Sequence, residues 1–550
     1  MGARDQHPRR RVRARAAAAL SAVAVVALLA AAQASATQLL SDQQRTSASV
    51  GSPGSQEAQV AYNSKEREYL TVFTTTAGGS AEIYARRLSD LGIPLDLPIP
   101  VAVVPAPEDS RQPAVAYSRK TNSYLITYVA DVLADGEFEV WGQRLGAEGQ
   151  AQGTRFRISE IGAEGDTTRG PLSNPAITYN EEDEHYLVAW DADEEGNDQF
   201  EVFAQRIGAT GNEIGPEASV SSTAGANRDA TAPAIAHDPD ANHYLVVWQD
   251  DGFSADDEFD VFGQLLNSGG LPTGVDDFRI SETGMDGSAA FSAFTPSVAA
   301  DTKRGGYMVA FAASLLAGPD REVKVQGLDS AGAQVGPSDA RISDVGVEGD
   351  PDRAAVAPRI AYSPVARQYL VAYAADDVGA DDEFEAYVQR IDREGTEVGV
   401  NDLRVSTFGP EGNPDIDVGT EPSGTGIAAN GQLSEWVVGF FGEEVMDTAF
   451  NAFARRVGLS AKCGGKVARV GGPARDVIRL SKGRDVIAAK GGRDNIGSGG
   501  GKDRICGGKG KDRLAGGNGR DRLIGGGGRD RCIGGKGADS AKSCERRQSL

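Results

Sequence analysis

The sequence predicts an all-β protein, a seven-bladed β-propeller followed by a glycine-rich C-terminal array, and three observations carry that reading. An apolar phrase, in most copies opening on proline, recurs with a period of roughly 60 residues. Each copy continues into short runs of alternating β-branched, aromatic and polar residues bounded by Asp, Asn and Gly turns, the pattern of strands joined as hairpins. Past residue 462 a nine-residue beat of glycine and aspartate takes over.

The N-terminus comes first in chain order. Residues 1–36 combine a basic run through Arg9, Arg10 and Arg11, an alanine-rich apolar stretch too short and small-sided for a good membrane span, and Ala34-Ser35-Ala36 as a cleavage site. That is the form of a secretory signal peptide, and the arginines leave twin-arginine export open as a route. No membrane span is expected in the mature chain. It should therefore be secreted or extracellular, in part at the cell surface, where disulfides persist and calcium is abundant. The formal charge of −23 disfavours nucleic acid as a partner.

The repeat domain is expected over residues 37–461. "PAVAYSRKTNSYLITY" from Pro113 returns as "PAITYNEEDEHYLVAW" at Pro175, "PAIAHDPDANHYLVVW" at Pro233, "PSVAADTKRGGYMVAF" at Pro296 and "PRIAYSPVARQYLVAY" at Pro358, with weaker copies from Ala58 and Thr425. A third phrase follows each, such as "EVWGQRL", "DVFGQLL" or "EAYVQRI", and most add a fourth, such as "FRISE" at Phe156 and Phe278. Four strands per copy make one propeller blade, so seven copies make seven blades. The seventh copy lacks its own fourth strand, whereas "TQLLSD" (residues 37–42) stands alone before the first and is similar to "FRISE". A last blade completed from the other terminus closes the ring and leaves no free edge. An open solenoid or a string of sandwiches is the competing arrangement.

Signals for catalysis in this region are sparse. His7 lies in the signal, His185 and His243 precede the tyrosine of a second strand, and His237 ends a first strand; none is matched with a serine or cysteine nucleophile. The acidic stretches "DADEEGNDQFE" and "DDGFSADDEFD" offer carboxylates for a glycosidase pair, against the plainer reading of solvated loops. Asp191, Asp193, Glu195 and Gly196 approach the opening of a calcium loop, but other repeats do not reproduce the spacing.

Residues 462–550 are expected to form a second domain. From Gly471 to Lys542 the chain divides into eight nonapeptides, whose aspartates are Asp476, Asp485, Asp494, Asp503, Asp512, Asp521, Asp530 and Asp539. Their apolar positions are Ile478, Ile487, Ile496, Ile505, Leu514, Leu523, Cys532 and Ala541. A flexible tail would need no such register. The array resembles the RTX, or hemolysin-type, calcium-binding repeat, G-G-x-G-x-D-x-U-x. The resemblance implies a parallel β-roll and Ca2+ as the bound cation. Glycines permit positive φ and bring carbonyl oxygens inward, and the aspartate adds a charged oxygen, which suits a hard cation with about six to eight oxygen ligands. The metal residues it implies are Asp494, Asp503, Asp512, Asp521, Asp530 and Asp539, with Gly499, Gly501, Gly507, Gly508, Gly510, Gly516, Gly517, Gly519, Gly525, Gly526, Gly528, Gly534, Gly535 and Gly537. The first two units fall short of the glycine pattern, which sets Asp476 and Asp485 apart. The apolar core is thin, so metal binding should drive folding.

Charge divides the chain in two. Residues 462–550 hold 22 basic against 9 acidic residues, roughly +13, leaving residues 37–461 near −41. Arg504, Arg513, Arg522 and Arg531 should point outward, which leaves three readings open: docking on the propeller, binding of an anionic cell-surface polymer or glycan, and plain solvated surface charge. Of three possible cysteine connectivities, Cys463 with Cys506 and Cys532 with Cys544 is preferred, because these pairs bracket the early turns and the end of the roll. The expected protein is secreted, calcium-binding and non-catalytic, with a role in surface binding or adhesion. The alternative is an extracellular hydrolase with its active site on a propeller face.

Overall fold

In the computed structural model six copies of the repeat are four-stranded antiparallel sheets and the seventh contributes three strands to a sheet completed by two short N-terminal ones, so that seven sheets make the propeller. The structure describes residues 37–550 except 48–54, 78–79, 104–107, 133–135, 163–165, 168, 195, 198, 223–227, 252–257, 284–290, 315–320, 345–352, 377–383, 409–417, 419–424, 444–449 and 481–482. The expected signal peptide with Ala34-Ser35-Ala36 and His7, and also Glu195, lie outside the described residues. No helix among the described residues is long and apolar enough to cross a membrane.

The blade from residue 230 shows why the repeat folds this way. Its strands Ala230–Asp238, His243–Asp250, Asp260–Leu266 and Pro272–Arg279 pair in sequence order. The first lines the central cavity with Pro233, and the second and third are almost wholly buried. Strands buried on both faces read as continuous apolar runs, hence "YLVVW". Blade packs on blade: Tyr244 and Trp248 pack with Leu187 and Ala189 of the preceding blade.

A polar staple recurs inside the blades. The carboxylate that opens the third strand accepts a hydrogen bond from a serine at the end of the fourth, and the same serine oxygen accepts the next backbone N–H. Ser281 Oγ lies 2.7 Å from Asp260 and 2.9 Å from Val261 N, while Arg279 pairs with Asp260 at 2.9 Å. Ser159 with Glu139, Ser343 with Glu322 and Ser406 with Glu385 repeat the arrangement. Gln264, Gln326 and Gln389 on the third strands receive Asp277 N, Asp339 N and Asp402 N at 3.0, 3.1 and 3.0 Å. The carboxylates of those three aspartates accept Ser222 N, Glu282 N and Asp344 N at 2.8, 2.9 and 3.0 Å, tying each blade to the one before it.

The ring closes through the N-terminal segment. Thr37–Leu39 pairs antiparallel with Asn451–Leu459, Thr37 opposite Leu459, and Gln44–Arg45 continues along the same strand opposite Ala454 and Phe453. The counterpart of "FRIS" is therefore Gln44-Arg45-Thr46-Ser47 rather than residues 37–42. Arg45 and Ser47 both reach Asn451, which stands where other blades carry the carboxylate. The resemblance of residues 37–42 is displaced because the staple, and not the apolar pair Leu39-Leu40, sets the register.

The C-terminal region is a parallel roll of about four turns that runs directly on from the last blade, and residues 37–550 form one compact unit. Its apolar column begins on the propeller: Leu433, in a turn of the seventh blade, packs into the cluster of Ile478, Ile487 and Ile496. Ser434 N donates to Val470 O at 2.7 Å, and Arg479 N donates to Gln432 Oε1 at 3.0 Å. Beside them Arg469 is held between Glu435 and Asp90, at 2.9 and 2.8 Å. Both disulfides, Cys463–Cys506 and Cys532–Cys544, are formed.

Candidate metal centre

Successive nonapeptides alternate between the roll's two sheets, so residues 18 apart are neighbours. Ile478, Ile496, Leu514 and Cys532 stack in one sheet, and Ile487, Ile505, Leu523 and Ala541 in the other. The two columns meet as one core, and all but Ala541 are fully buried. In the last four units the residue after each aspartate turns outward, so Arg513, Arg522 and Arg531 are exposed, while Arg504, one unit earlier, is half-buried.

The same periodicity aligns the aspartates. One column runs Asp476, Asp494, Asp512, Asp530; the other runs Asp485, Asp503, Asp521, Asp539. Within each column every backbone N–H donates to Oδ1 of the aspartate one turn later, at 2.8 to 2.9 Å. Asp530 N donates to Glu545 Oε2 at 2.5 Å and ends its column. That use consumes one oxygen of each carboxylate. The other oxygen, Oδ2, is buried without a hydrogen-bond partner at Asp494, Asp503, Asp512, Asp521, Asp530 and Asp539. Asp476 differs, because its Oδ2 accepts Gly472 N at 2.7 Å, and Asp485 is only half-buried. Both nevertheless form the first rung of the same ladders.

The glycines shape the space around those oxygens. A Cβ on Gly507 would lie 2.5 Å from Asp512 Oδ2, and Gly525 and Gly534 face Asp530 Oδ2 and Asp539 Oδ2 at the same distance, with Gly516 likewise against Asp521. Gly501, Gly510, Gly519, Gly528 and Gly537 hold φ from +134° to +147°, and a Cβ there would overlap the carbonyl oxygen of the glycine one turn earlier. Gly508, Gly517, Gly526 and Gly535 pack in the same way over a carbonyl one turn earlier, Gly499 supplying the one beneath Gly517. Only glycine permits this spacing of loop on loop.

A buried carboxylate oxygen without a donor is costly unless a cation meets it. Burial pushes Asp494 up to about 7, with the Asp476 and Asp512 carboxylates adding to the rise. Burial also raises Asp512 and Asp521, aided by Asp530 for the first and by Asp503 and Asp539 for the second. The donor set is all oxygen, carboxylate and carbonyl, which fits a hard divalent cation such as Ca2+. No group of three or more His, Cys, Asp or Glu side chains converges among the described residues. A loop site with one carboxylate per turn and carbonyls for the remainder has that form.

The propeller's acidic stretches turn out to be built into the fold where they are described. Asp191 accepts Leu172 N, Ser173 N and Ser173 Oγ at 3.1, 3.0 and 2.6 Å, and Asp193 accepts Gly196 N at 2.7 Å. Asp250 holds Arg228 through both oxygens. Glu194 and Glu217 on the third blade face each other, and burial followed by the Glu194 charge holds Glu217 protonated well above the usual carboxylate range. His185 meets Tyr244 Oη at 2.8 Å, and His237 meets Asn242 at 2.9 Å, in a network joining the third and fourth blades. Sequence reasoning missed the staple serines. Their signal was the co-occurrence of a carboxylate at the head of the third phrase with R-x-S in the fourth.

Comparison with known proteins agrees with the roll geometry. Residues 470–505 and 507–541 match the model of the RTX calcium-binding nonapeptide repeat. The match takes in Asp476 and Asp485. A search of curated proteins returned no match. Among solved structures, the α-L-arabinofuranosidase Arb93A of Fusarium graminearum is 11% identical, covering 62% of this chain and 92% of its own at a TM-score of 0.39. An α-L-arabinanase of Penicillium chrysogenum is 10% identical, covering 76% and 97% at 0.39. The β-propeller domain of the Trilobed protease of Pyrococcus furiosus is 9% identical, covering 72% and 93% at 0.37. Likenesses at this level carry no argument about activity.

Proposed function

We propose that this chain, whose residues 470–541 are RTX calcium-binding repeats, is a secreted, non-catalytic calcium-binding protein in which a calcium-stiffened roll and an acidic propeller serve attachment at the cell surface or in the extracellular matrix. One observation carries the calcium reading: six buried Oδ2 atoms, at Asp494, Asp503, Asp512, Asp521, Asp530 and Asp539, have no donor. These aspartates, with carbonyl oxygens of the glycine loops around them, would hold the cation. Bound calcium supplies charge neutralisation within the columns and so ties successive turns together. The two disulfides and the signal-like N-terminus support an extracellular setting.

The test is calcium calorimetry with far-ultraviolet circular dichroism on the full-length protein. Replacing Asp512 and Asp521 together by alanine should lower calcium uptake more than replacing Asp476 and Asp485, whose second oxygens are differently placed. Equal losses in the two double variants reject the site assignment. A roll equally ordered in chelator and in calcium rejects metal-driven folding. The hydrolase alternative draws on the paired Glu194 and Glu217 carboxyls, one held protonated. Turnover of a glycan or peptide that is abolished by Glu217→Gln would favour it.

A further inference from the structure

The basic residues of the nonapeptides are arranged as regularly as the aspartates, and calcium binding does not account for them. Arg475, Arg493, Lys511 and Arg529 each precede an aspartate of the same column and so recur once per turn along one edge of the roll. Arg513 and Arg531, two residues further on, form a second row. Together the rows wall a groove of about 500 Å³. All six side chains are exposed, and none pairs with a carboxylate among the described residues; Arg531 bonds only the neutral Gln548 amide, at 2.9 Å. Glu545 is the one exposed acid on the groove, and its carboxylate is engaged by Asp530 N. The opposite edge repeats the pattern on a smaller scale with Lys502 and Arg520 facing Arg504 and Arg522, about 210 Å³.

We propose that the larger groove binds a linear polyuronate, a polysaccharide carrying one carboxylate per sugar, laid along the axis of the roll. Parallel strands repeat every ~4.8 Å, so the groove offers one cation per turn at that interval. An extended chain of pyranose rings advances by about the same step per sugar. Guanidinium forks pair with carboxylates through two hydrogen bonds, which favours a carboxylate at each rung. A phosphodiester chain places more bonds between its charges and falls out of step. Residues 462–550 contain no aromatic side chain, so there is no platform on which nucleic-acid bases stack. The proposal rests on the calcium reading above, because only a roll whose aspartates are neutralised presents these rows as uncompensated positive charge. The acidic propeller limits the polymer to the roll.

The experiment titrates full-length protein, at fixed saturating calcium, with oligogalacturonates of increasing length kept below gelling size. Affinity should rise with length up to about four sugars, one for each cation of the first row, and then level off. The triple variant Arg493→Gln, Lys511→Gln, Arg529→Gln should lose at least about tenfold in affinity and reduce the log–log salt slope by about 2 while keeping its calcium uptake. Lys509→Gln with Lys536→Gln removes exposed charge from the roll outside the groove and should change affinity less than about twofold. Equal losses in the two variants overturn the groove assignment, as does tighter binding of a sulfated or phosphate polymer of the same length, or equal binding of methyl-esterified oligomers. A protein that takes up calcium but ignores oligogalacturonate refutes this inference alone. One that takes up no calcium refutes the calcium reading, and this inference with it.

Discussion

At the scale of single residues, the aspartates of the roll do two opposed jobs. Oδ1 accepts the backbone N–H one turn away and favours the folded ladder, whereas Oδ2 is buried with like charges above and below it. Without a cation the second effect has a definite sign with pH. Asp494 is raised to about 7 and Asp476 and Asp485 to about 6, so between their unfolded values near 4 and these folded values the folded roll binds more protons than the unfolded chain. Stability in chelator is therefore greatest in acid and falls as pH rises through about 7. Calcium binds the ionised form and reverses the trend. Thermal melts in chelator should show a more stable roll at about pH 5 than at about pH 8, with the order inverted in excess calcium. The same order in both conditions would remove the aspartate columns as the cause.

At the scale of elements, the blade staple explains why the repeat keeps a carboxylate and a serine so far apart in sequence. Ser281 donates to Asp260, which is fully buried and also holds Arg279, and receives Val261 N, so one hydroxyl serves two buried groups. Replacing Ser281 by alanine leaves both groups buried with one partner fewer and should cost about 1–3 kcal/mol. Denaturant unfolding should show a lower midpoint with the slope unchanged, and Ser338→Ala, on the exposed rim of the next blade, should show almost no change. Matching effects from the two serines would mean that the staple contributes little. The third and fourth phrases of most copies contain the residues of this device. Their pairing was not legible, because antiparallel register and the bulge between Gly263 and Leu265 decide which residues meet.

At the scale of the whole molecule, the propeller caps the open end of the roll. Leu433 covers the first apolar rung, and Arg469 joins two distant parts of the propeller, Glu435, which is fully buried, and Asp90. Its guanidinium is held charged well above the ordinary range by both carboxylates, which outweigh burial. Arg469→Met would leave Glu435 with Arg456 alone, at 3.4 Å, and should cost about 3–5 kcal/mol. In calorimetry with calcium present, the roll of the variant should melt ahead of the propeller. A single transition at the wild-type temperature would show that the cap is carried by apolar contact alone.

The sequence by itself determined the seven blades, the closure through the N-terminus, the nonapeptide register and the apolar column from Ile478 to Leu523, whereas of three possible cysteine pairings it only favoured the one that the structure forms. Each is a matter of period, and period follows directly from how strands alternate and turns recur. What only the tertiary structure decided is which residues of different periods meet. Residues 45–47 complete the last blade because the Asn451 side chain receives both Arg45 and Ser47. Asp476 joins the ladder but fills its own second oxygen with Gly472 N, since the chain turns there to leave the propeller. The basic rows become a groove only when residues 18 apart are stacked at the spacing of parallel strands. Such meetings depend on loop closure over tens to hundreds of residues, and no local pattern in the chain encodes that distance.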